Sequence, residues 1–263
     1  MNDLRGYFLS ELTTDRFAEL VKWKAPLAVL VPVGSVEPHG PHLSLAADTL
    51  ISKAVALRAV PKLQPKVTAL IAPSVDYGVT DCAAGFAGAI SIPPAVLTPL
   101  LRAIVDGFLE SGVAHVCLIN NHLEPAHDRA VHDAIKGYVR SRASVASPLS
   151  PRWGRTLSDE FKRGECHAGR YETSILLAYD KRYVDEAARA KLPDVPISLS
   201  DKLKEGVSRF ADMGLERAYS GSPASATAAE GEALLDKLAR MVAVEVLEAM
   251  ALSVDEGEDE GGK

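Results

Sequence analysis

Cysteine is scarce in this sequence: Cys82, Cys117 and Cys166 are the three in 263 residues, they are widely spaced, and no C-x-x-C occurs. An odd count without close pairs excludes a disulfide framework and fits reduced thiols in the cytoplasm, each serving packing. No apolar run approaches the roughly 20 residues that span a bilayer. The charges scattered through MNDLRGYFLSELTTDRF leave no signal-peptide core, so a cytoplasmic protein without a membrane partner is expected. A clustered basic stripe is missing as well. With 29 Lys and Arg against 35 Asp and Glu, the formal net charge of -6 gives no electrostatic reason to bind nucleic acid. Part of that charge lies in DEGEDEGGK, residues 255–263, which cannot bury apolar surface and reads as a disordered acidic tail. No repeat or low-complexity linker divides residues 1–254, which are expected to form one domain.

What is present is an ordinary globular composition, 47% hydrophobic and 24% charged, able to bury a sizeable core. Short β-branched apolar runs alternate with segments of helical period, the signature of an α/β domain with a mostly parallel central sheet flanked by helices. The strands are expected at 27-LAVLVPVGS-35, 67-VTALIAPSV-75, 88-GAISIP-93 and 115-HVCLINNH-122. Helices are expected over 46–60, 96–112, 125–142, 171–179 and about 224–250, the second ending on a glycine and the third starting on Pro125. The Ser- and Pro-rich stretch 143–161, holding Trp153, reads as a surface loop or lid. Residues 188–214 read as a long excursion without clear period.

Ligands of open α/β sheets bind beyond the carboxyl ends of the strands, so the residues just after each apolar run are the ones to inspect. The first run delivers Glu37, His39, His42 and Asp48; the last delivers Asn120, Asn121, His122 and Glu124; a third cluster, 166-CHAGRYETS-174, brings His167 and Glu172. In an extended segment Glu37 and His39 face one side, as do His122 and Glu124, so two acid/imidazole pairs can face each other across a pocket. Such donors suit Zn²⁺ or Mn²⁺, and a carboxylate such as Asp48 can bridge two ions about 3.5–4 Å apart. Plainer readings stand beside this one. Asp48 could cap the helix at Thr49, and Glu172 could be the acidic first turn of its helix. His42 could orient the loop rather than bind metal. His115, His127 and His132 read as surface or capping residues.

The string GSVEPHGPHLSLAADT resembles the opening motif of the creatininase family of amidohydrolases, G-S-x-E-x-H-G-P-H-L-P-L-x-x-D-T, with Ser44 at the usual proline. Residues 73–92 resemble the family's P-x-x-x-Y-G-x-S and F-P-G-T segments, with Thr80, Ala87 and Ala89 departing from them. HAGRYETS resembles H-A-G-x-x-E-T-S, and residues 219–235 resemble a further Gly-x-Pro segment. The similarity runs from about residue 27 to 240. It implies a single α/β domain, a homohexamer, and two divalent ions, Zn or Mn, that activate water for hydrolysis of an amide C–N bond.

Carried over, Glu37 and His122 would hold one ion and His39 the other, with Asp48 bridging. Where most relatives read N-G-H-G-G-N this chain reads N-N-H-L-E-P, so Glu124 is the favoured last ligand and Glu172 the alternative. His167, or failing it Glu124 or Glu172, would pass a proton to the leaving nitrogen. Thr80, Phe86, Leu123, Trp153 and Arg163 are the expected substrate contacts, with Arg163 favouring a carboxylate-bearing molecule. The expected substrate is a small non-peptide amide other than creatinine. Formamide hydrolysis and trimming of a short peptide in cofactor maturation are the alternatives, and a non-catalytic metal-binding scaffold is the rival of another class.

Overall fold

The computed structural model describes residues 7–254. Four parallel strands, β1 (Leu27–Val33), β2 (Thr68–Ile71), β3 (His115–Asn120) and β4 (Ala143–Ala146), lie in the order β2-β1-β3-β4. The register sets Leu27 beside Thr68, Ala28 beside His115 and Val116 beside Ala143. Every residue of β1 and β3 is buried, as expected for parallel strands covered on both faces.

Alternation along the strands splits the core in two. Ala28, Leu30, Cys117 and Ile119 face a layer formed by α2 (Ala47–Leu63), α7 (Arg170–Asp180) and α11 (Ala228–Ala249). Val29, Val31, Val116 and Leu118 face the layer of α1 (Thr14–Val21), α3 (Pro94–Glu110) and α4 (Pro125–Ala134). Between β4 and the C-terminal helix lie five short helices besides α7: α5 (Pro151–Gly154), α6 (Asp159–Arg163), α8 (Glu186–Arg189), α9 (Leu199–Lys204) and α10 (Phe210–Met213).

Helix ends follow their local chemistry. Pro94 and Pro125 open α3 and α4 at first-turn positions where the missing N–H costs nothing. Gly112 follows α3 with φ of 95°, the left-handed conformation that lets a helix stop. Thr227 caps α11 by accepting the Glu230 N–H.

Three expectations fail here. Residues 88–93 form no strand; the segment runs extended and makes only scattered bonds, Ile90 N–H to Val36 and Ile92 N–H to Gly78. The fourth strand is instead β4, inside the stretch expected to be loop. The helix expected over 125–142 stops at Ala134. Residues 255–263 lie outside the described residues, and the expected tail with them.

The order β2-β1-β3-β4 creates a switch point: the chain leaves β1 toward β2 on one side, while β3 connects to β4 on the other. The crevice beyond the carboxyl ends of β1 and β3 is where such a sheet binds ligands. Glu37 and His39 follow β1, and His122 and Glu124 follow β3.

Candidate metal centre

Five segments converge on this crevice. The loop after β1 supplies Glu37 and His39, the first turn of α2 supplies Asp48, and the loop after β3 supplies His122 and Glu124. The turn before α7 supplies His167, and the first turn of α7 supplies Glu172. All seven side chains are buried, His39 completely.

Asp48 lies at the middle. One carboxylate oxygen is 3.2 Å from His39 Nε2 and the other 3.1 Å from His122 Nδ1. Glu37 Oε1 stands 3.5 Å from His122 Nδ1, 3.6 Å from His167 Nδ1 and 3.8 Å from His39 Nε2. Glu172 Oε2 is 3.6 Å from His39 Nε2. Three donor sets result, Glu37/His122/Glu124, His39/Asp48/Glu172 and Glu37/His39/His167, each with ligand atoms within 4.8 Å of one another.

The histidines are oriented from outside the cluster. His39 Nδ1 donates to the Glu37 carbonyl at 3.1 Å, His122 Nε2 to the Val79 carbonyl at 2.7 Å, and His167 Nε2 to the Pro38 carbonyl at 3.0 Å. With those protons committed to backbone oxygens, the other nitrogen of each neutral ring carries a lone pair aimed inward, the tautomer that metal-binding histidines take. His39 Nε2 and Asp48 Oδ2 have no hydrogen-bond partner although fully enclosed. Orphaned inward-facing donors of this kind fit a cation. Four buried carboxylates, Glu37, Asp48, Glu124 and Glu172, match the charge of two divalent ions. Unpaired, each would cost several kcal/mol in desolvation.

Without a cation the cluster draws protons instead. Burial opposes charge on His39, but Asp48, Glu172 and Glu37 outweigh it and push its pKa to about 10. His122 is likewise raised against burial, by Glu37 and Asp48. Asp48 is held below the usual carboxylate range because His122 and His39 override its burial. Burial, with Asp48 and Glu37 adding to it, lifts Glu172 to about 8.

A surrounding layer fixes these groups. Thr80 donates its hydroxyl to Glu37 Oε2, so it serves the acid directly. Glu124 accepts backbone N–H groups at both oxygens, Asp81 at 3.2 Å and Cys82 at 3.1 Å. The Val79 peptide grips two rings, accepting from His122 and donating to His127 Nδ1 at 3.2 Å. Gly78 permits that approach, because a Cβ there would meet the His127 ring at 2.5 Å. Ala168 adopts a left-handed φ of 51° and donates its N–H to Glu172 Oε2 at 2.7 Å, holding the carboxylate at the helix start. His42 faces away, bonding Thr173 Oγ1 at 3.0 Å, and burial pushes its pKa down to about 4.

Several expectations meet a different geometry. Asp48 is not the cap of α2: that position is Ala46, and the Asp48 carboxylate points at the two imidazoles. His115 and His127 are buried rather than on the surface, and His127 packs edge-on to His122 with ring centroids 4.6 Å apart. Asn121, where the family pattern has Gly, bonds Ser52 Oγ, which in turn donates to the Val33 carbonyl, so the substitution ties β3, α2 and β1 together.

A cavity of about 430 Å³ opens onto the cluster. Leu123 lines it, but Phe86, Trp153 and Arg163 do not. Trp153 is 9% exposed and donates Nε1–H to Glu245 on α11, which makes it an anchor for its segment rather than a cover for substrate. Arg163 turns outward to Glu165 at 3.0 Å. Phe86 joins a small apolar cluster around Phe210 and Met213. Cys82 and Cys166 border the cavity as thiols that burial keeps protonated. Sequence reasoning missed Arg155 and Glu160, within the stretch it took for loop, and Lys162 just after it.

The profile of the creatininase family, described as creatinine amidohydrolase, matches residues 10–246. The chain belongs to the creatininase family. Among its relatives is the mycofactocin precursor peptide peptidase of Mycobacterium tuberculosis, 32% identical over 235 residues covering 82% of this chain and 84% of that one. The protein of the same name from Mycolicibacterium smegmatis is 31% identical over 80% of each chain. The creatinine amidohydrolase of Pseudomonas putida is 27% identical over 46% of each. In fold, a crystal structure of creatinine amidohydrolase superposes with a TM-score of 0.72 at 22% identity, covering 95% of this chain and all of that one. A manganese form of creatininase gives 0.70 at 23% identity, over 93% of this chain and 98% of that one. As a member of this family the chain is a hydrolase of carbon–nitrogen bonds. Its clustered His, Glu and Asp side chains are able to bind a pair of metal ions. No helix among the described residues is long and apolar enough to cross a membrane.

Proposed function

We propose that this chain is a binuclear metal-dependent peptidase that trims a short peptide. The observation that carries the metal assignment is the outward commitment of one N–H from each of His39, His122 and His167, with three lone pairs left facing three carboxylates. In this reading Glu37, His122 and Asp48 would hold one ion, and His39, Asp48 and Glu172 would hold the other. Solved relatives described as a manganese form and as a Zn-Zn form support either metal. Peptide, in place of the small non-peptide amide expected from the sequence, is supported by the names of relatives at 31–32% identity. The cavity is also large enough for a peptide segment.

Bound ions would polarise the scissile carbonyl and make water nucleophilic at neutral pH. The chain's own groups do the rest. Glu124, fixed by the Asp81 and Cys82 N–H groups at the cavity wall, takes the proton of the attacking water and returns it to the leaving nitrogen. His167 is less suited to donate, because its Nε2 proton is engaged by Pro38 and its Nδ1 is an acceptor. It accepts a hydrogen bond and orients the substrate. Burial of the whole cluster excludes bulk water and strengthens each of these interactions.

In a test on protein loaded with Zn or Mn, Glu124→Gln should keep its metal content while kcat for peptide hydrolysis falls at least about 100-fold. Full activity in that variant would remove Glu124 from the reaction. Hydrolysis of creatinine or formamides with none of peptides would overturn the substrate assignment. The reading extends to a cytoplasmic homohexamer, supported by free cysteines and the family resemblance. Light scattering on the eluted protein should give six chains, and a monomer mass would refute it.

A further inference from the structure

The cavity above the metal cluster has an electrostatic asymmetry that the hydrolytic chemistry leaves unused. Its floor, the metal cluster, is acidic, a wall from α9 and α10 is apolar, with Leu199, Leu203, Phe210 and Met213, and Arg155 and Lys162 also line it. Four cations occur between residues 152 and 163. Arg152 is taken by Glu248 through two bonds of 2.8 Å, Lys162 by Asp159 at 3.2 Å, and Arg163 by Glu165 at 3.0 Å. The Arg155 side chain makes no hydrogen bond or ion pair with the described residues, while its backbone N–H donates to the Trp153 carbonyl.

Its backbone is nonetheless firmly placed. Two residues before it, Trp153 donates to Glu245; one residue after it, the Thr156 carbonyl accepts Lys237 Nζ at 2.8 Å. Both anchors are on α11, so the segment is pinned on either side of an arginine whose side chain faces the cavity without a protein partner. A guanidinium held in that way presents a fork of donors that matches a carboxylate. The four acids on the floor would not repel such an anion once two divalent cations neutralise them.

We infer that Arg155 forms a subsite for a carboxylate on the substrate peptide, while the α9–α10 wall receives an apolar side chain. The inference rests on the peptidase reading and names the substrate class: a short peptide with apolar residues and a carboxylate near the cleaved bond, either its C-terminus or an acidic side chain. It also transfers to Arg155 the anion-binding role that sequence reasoning gave to Arg163.

The test uses metal-loaded protein and three probes: acetyl-Gly-Leu-Phe as free acid, the same peptide as C-terminal amide, and the amide carrying an added Glu before Leu. Binding is read by calorimetry and turnover by amine release. The wild type should bind the free acid about tenfold more tightly than the amide, the scale of one charge-assisted bidentate contact. Arg155→Gln should remove that preference by weakening binding of the acid alone, with metal content unchanged. If the Glu-containing amide recovers the preference, the acidic side chain is the source; if it does not, the C-terminus is. Equal affinity for all three probes in both wild type and variant overturns the subsite. Preferential binding of the acid without turnover of any probe overturns the peptidase reading and leaves the subsite standing.

Discussion

His115 is as buried as the three histidines of the metal cluster, yet it uses both ring nitrogens within the protein. Nδ1 donates to the Ser141 carbonyl at 3.1 Å, which leaves Nε2 to accept from Ser144 Oγ at 2.9 Å. That neutral form is enforced by burial, which pushes the pKa down to about 4. An unfolded His has its ordinary value near 6.5 and takes up a proton first as the solution is acidified. Stability should therefore be unaffected above that value and fall between pH 6.5 and 4, by up to about 3 kcal/mol from this residue. His115→Asn keeps a donor for Ser141 and cannot titrate, so its stability by chemical denaturation should decline less over that range. Parallel declines in the two proteins would show that His115 is not the group responsible. Contrast with His39, His122 and His167 makes the chemical point. The same buried imidazole is a closed structural unit when both nitrogens are satisfied and is open to a cation or a substrate donor when one is left facing carboxylates.

The segment joining α6 to α7 and the first turn of α7 place two cluster residues, His167 and Glu172, and their shape depends on a buried acid outside the cluster. Glu160 accepts the Tyr171 N–H at 3.1 Å and the Ser222 N–H at 3.2 Å, tying the first turn of α7 to the loop before α11. A Cβ at either Gly169 or Gly221 would collide with this carboxylate, so both glycines serve the clamp. Glu160→Gln keeps the shape but sets an amide NH2 against a backbone donor. It should destabilise the fold by about 1–3 kcal/mol and weaken retention of the ion held by Glu172 more than of the other. Thermal melting and metal analysis after dialysis read the two effects, and an unchanged melt would disprove the clamp.

Elements of this kind also mark the limits of sequence reading. β1, β3, α2, α3 and α7 were legible because their apolar runs or helical periods are sustained. β4 was not, since Ala-Ser-Val-Ala is short, polar at one position and followed by Ser- and Pro-rich chain. The run at 88–93 misled for the opposite reason: its alternation is strand-like, but it makes only scattered bonds and no neighbouring strand completes a ladder. The cluster itself was legible through Glu37, His39, Asp48, His122 and Glu172, which lie just beyond strands or at helix starts. The cavity walls were not, because Arg155, Trp153 and Arg163 are separated in space by helix direction and anchoring partners that no spacing rule encodes.

At the scale of the whole molecule, the parallel sheet and its two helical layers bring five sequence segments to one crevice, and the account holds that two divalent cations join them there. Cations bound only by the folded chain stabilise it, by about 4 kcal/mol for each site at a free concentration a thousand times Kd. A chelator should therefore lower the melting temperature as well as abolish activity. The most direct measurement is metal content per chain by elemental analysis, for the wild type, Glu172→Ala and Asp48→Ala after loading with Zn or Mn and dialysis. Two ions are predicted in the wild type, one in Glu172→Ala and none in Asp48→Ala, whose two oxygens face His39 and His122 separately. Wild-type protein that binds no stoichiometric metal and hydrolyses its substrate undiminished in chelator, or Asp48→Ala that retains both ions, would contradict the binuclear centre.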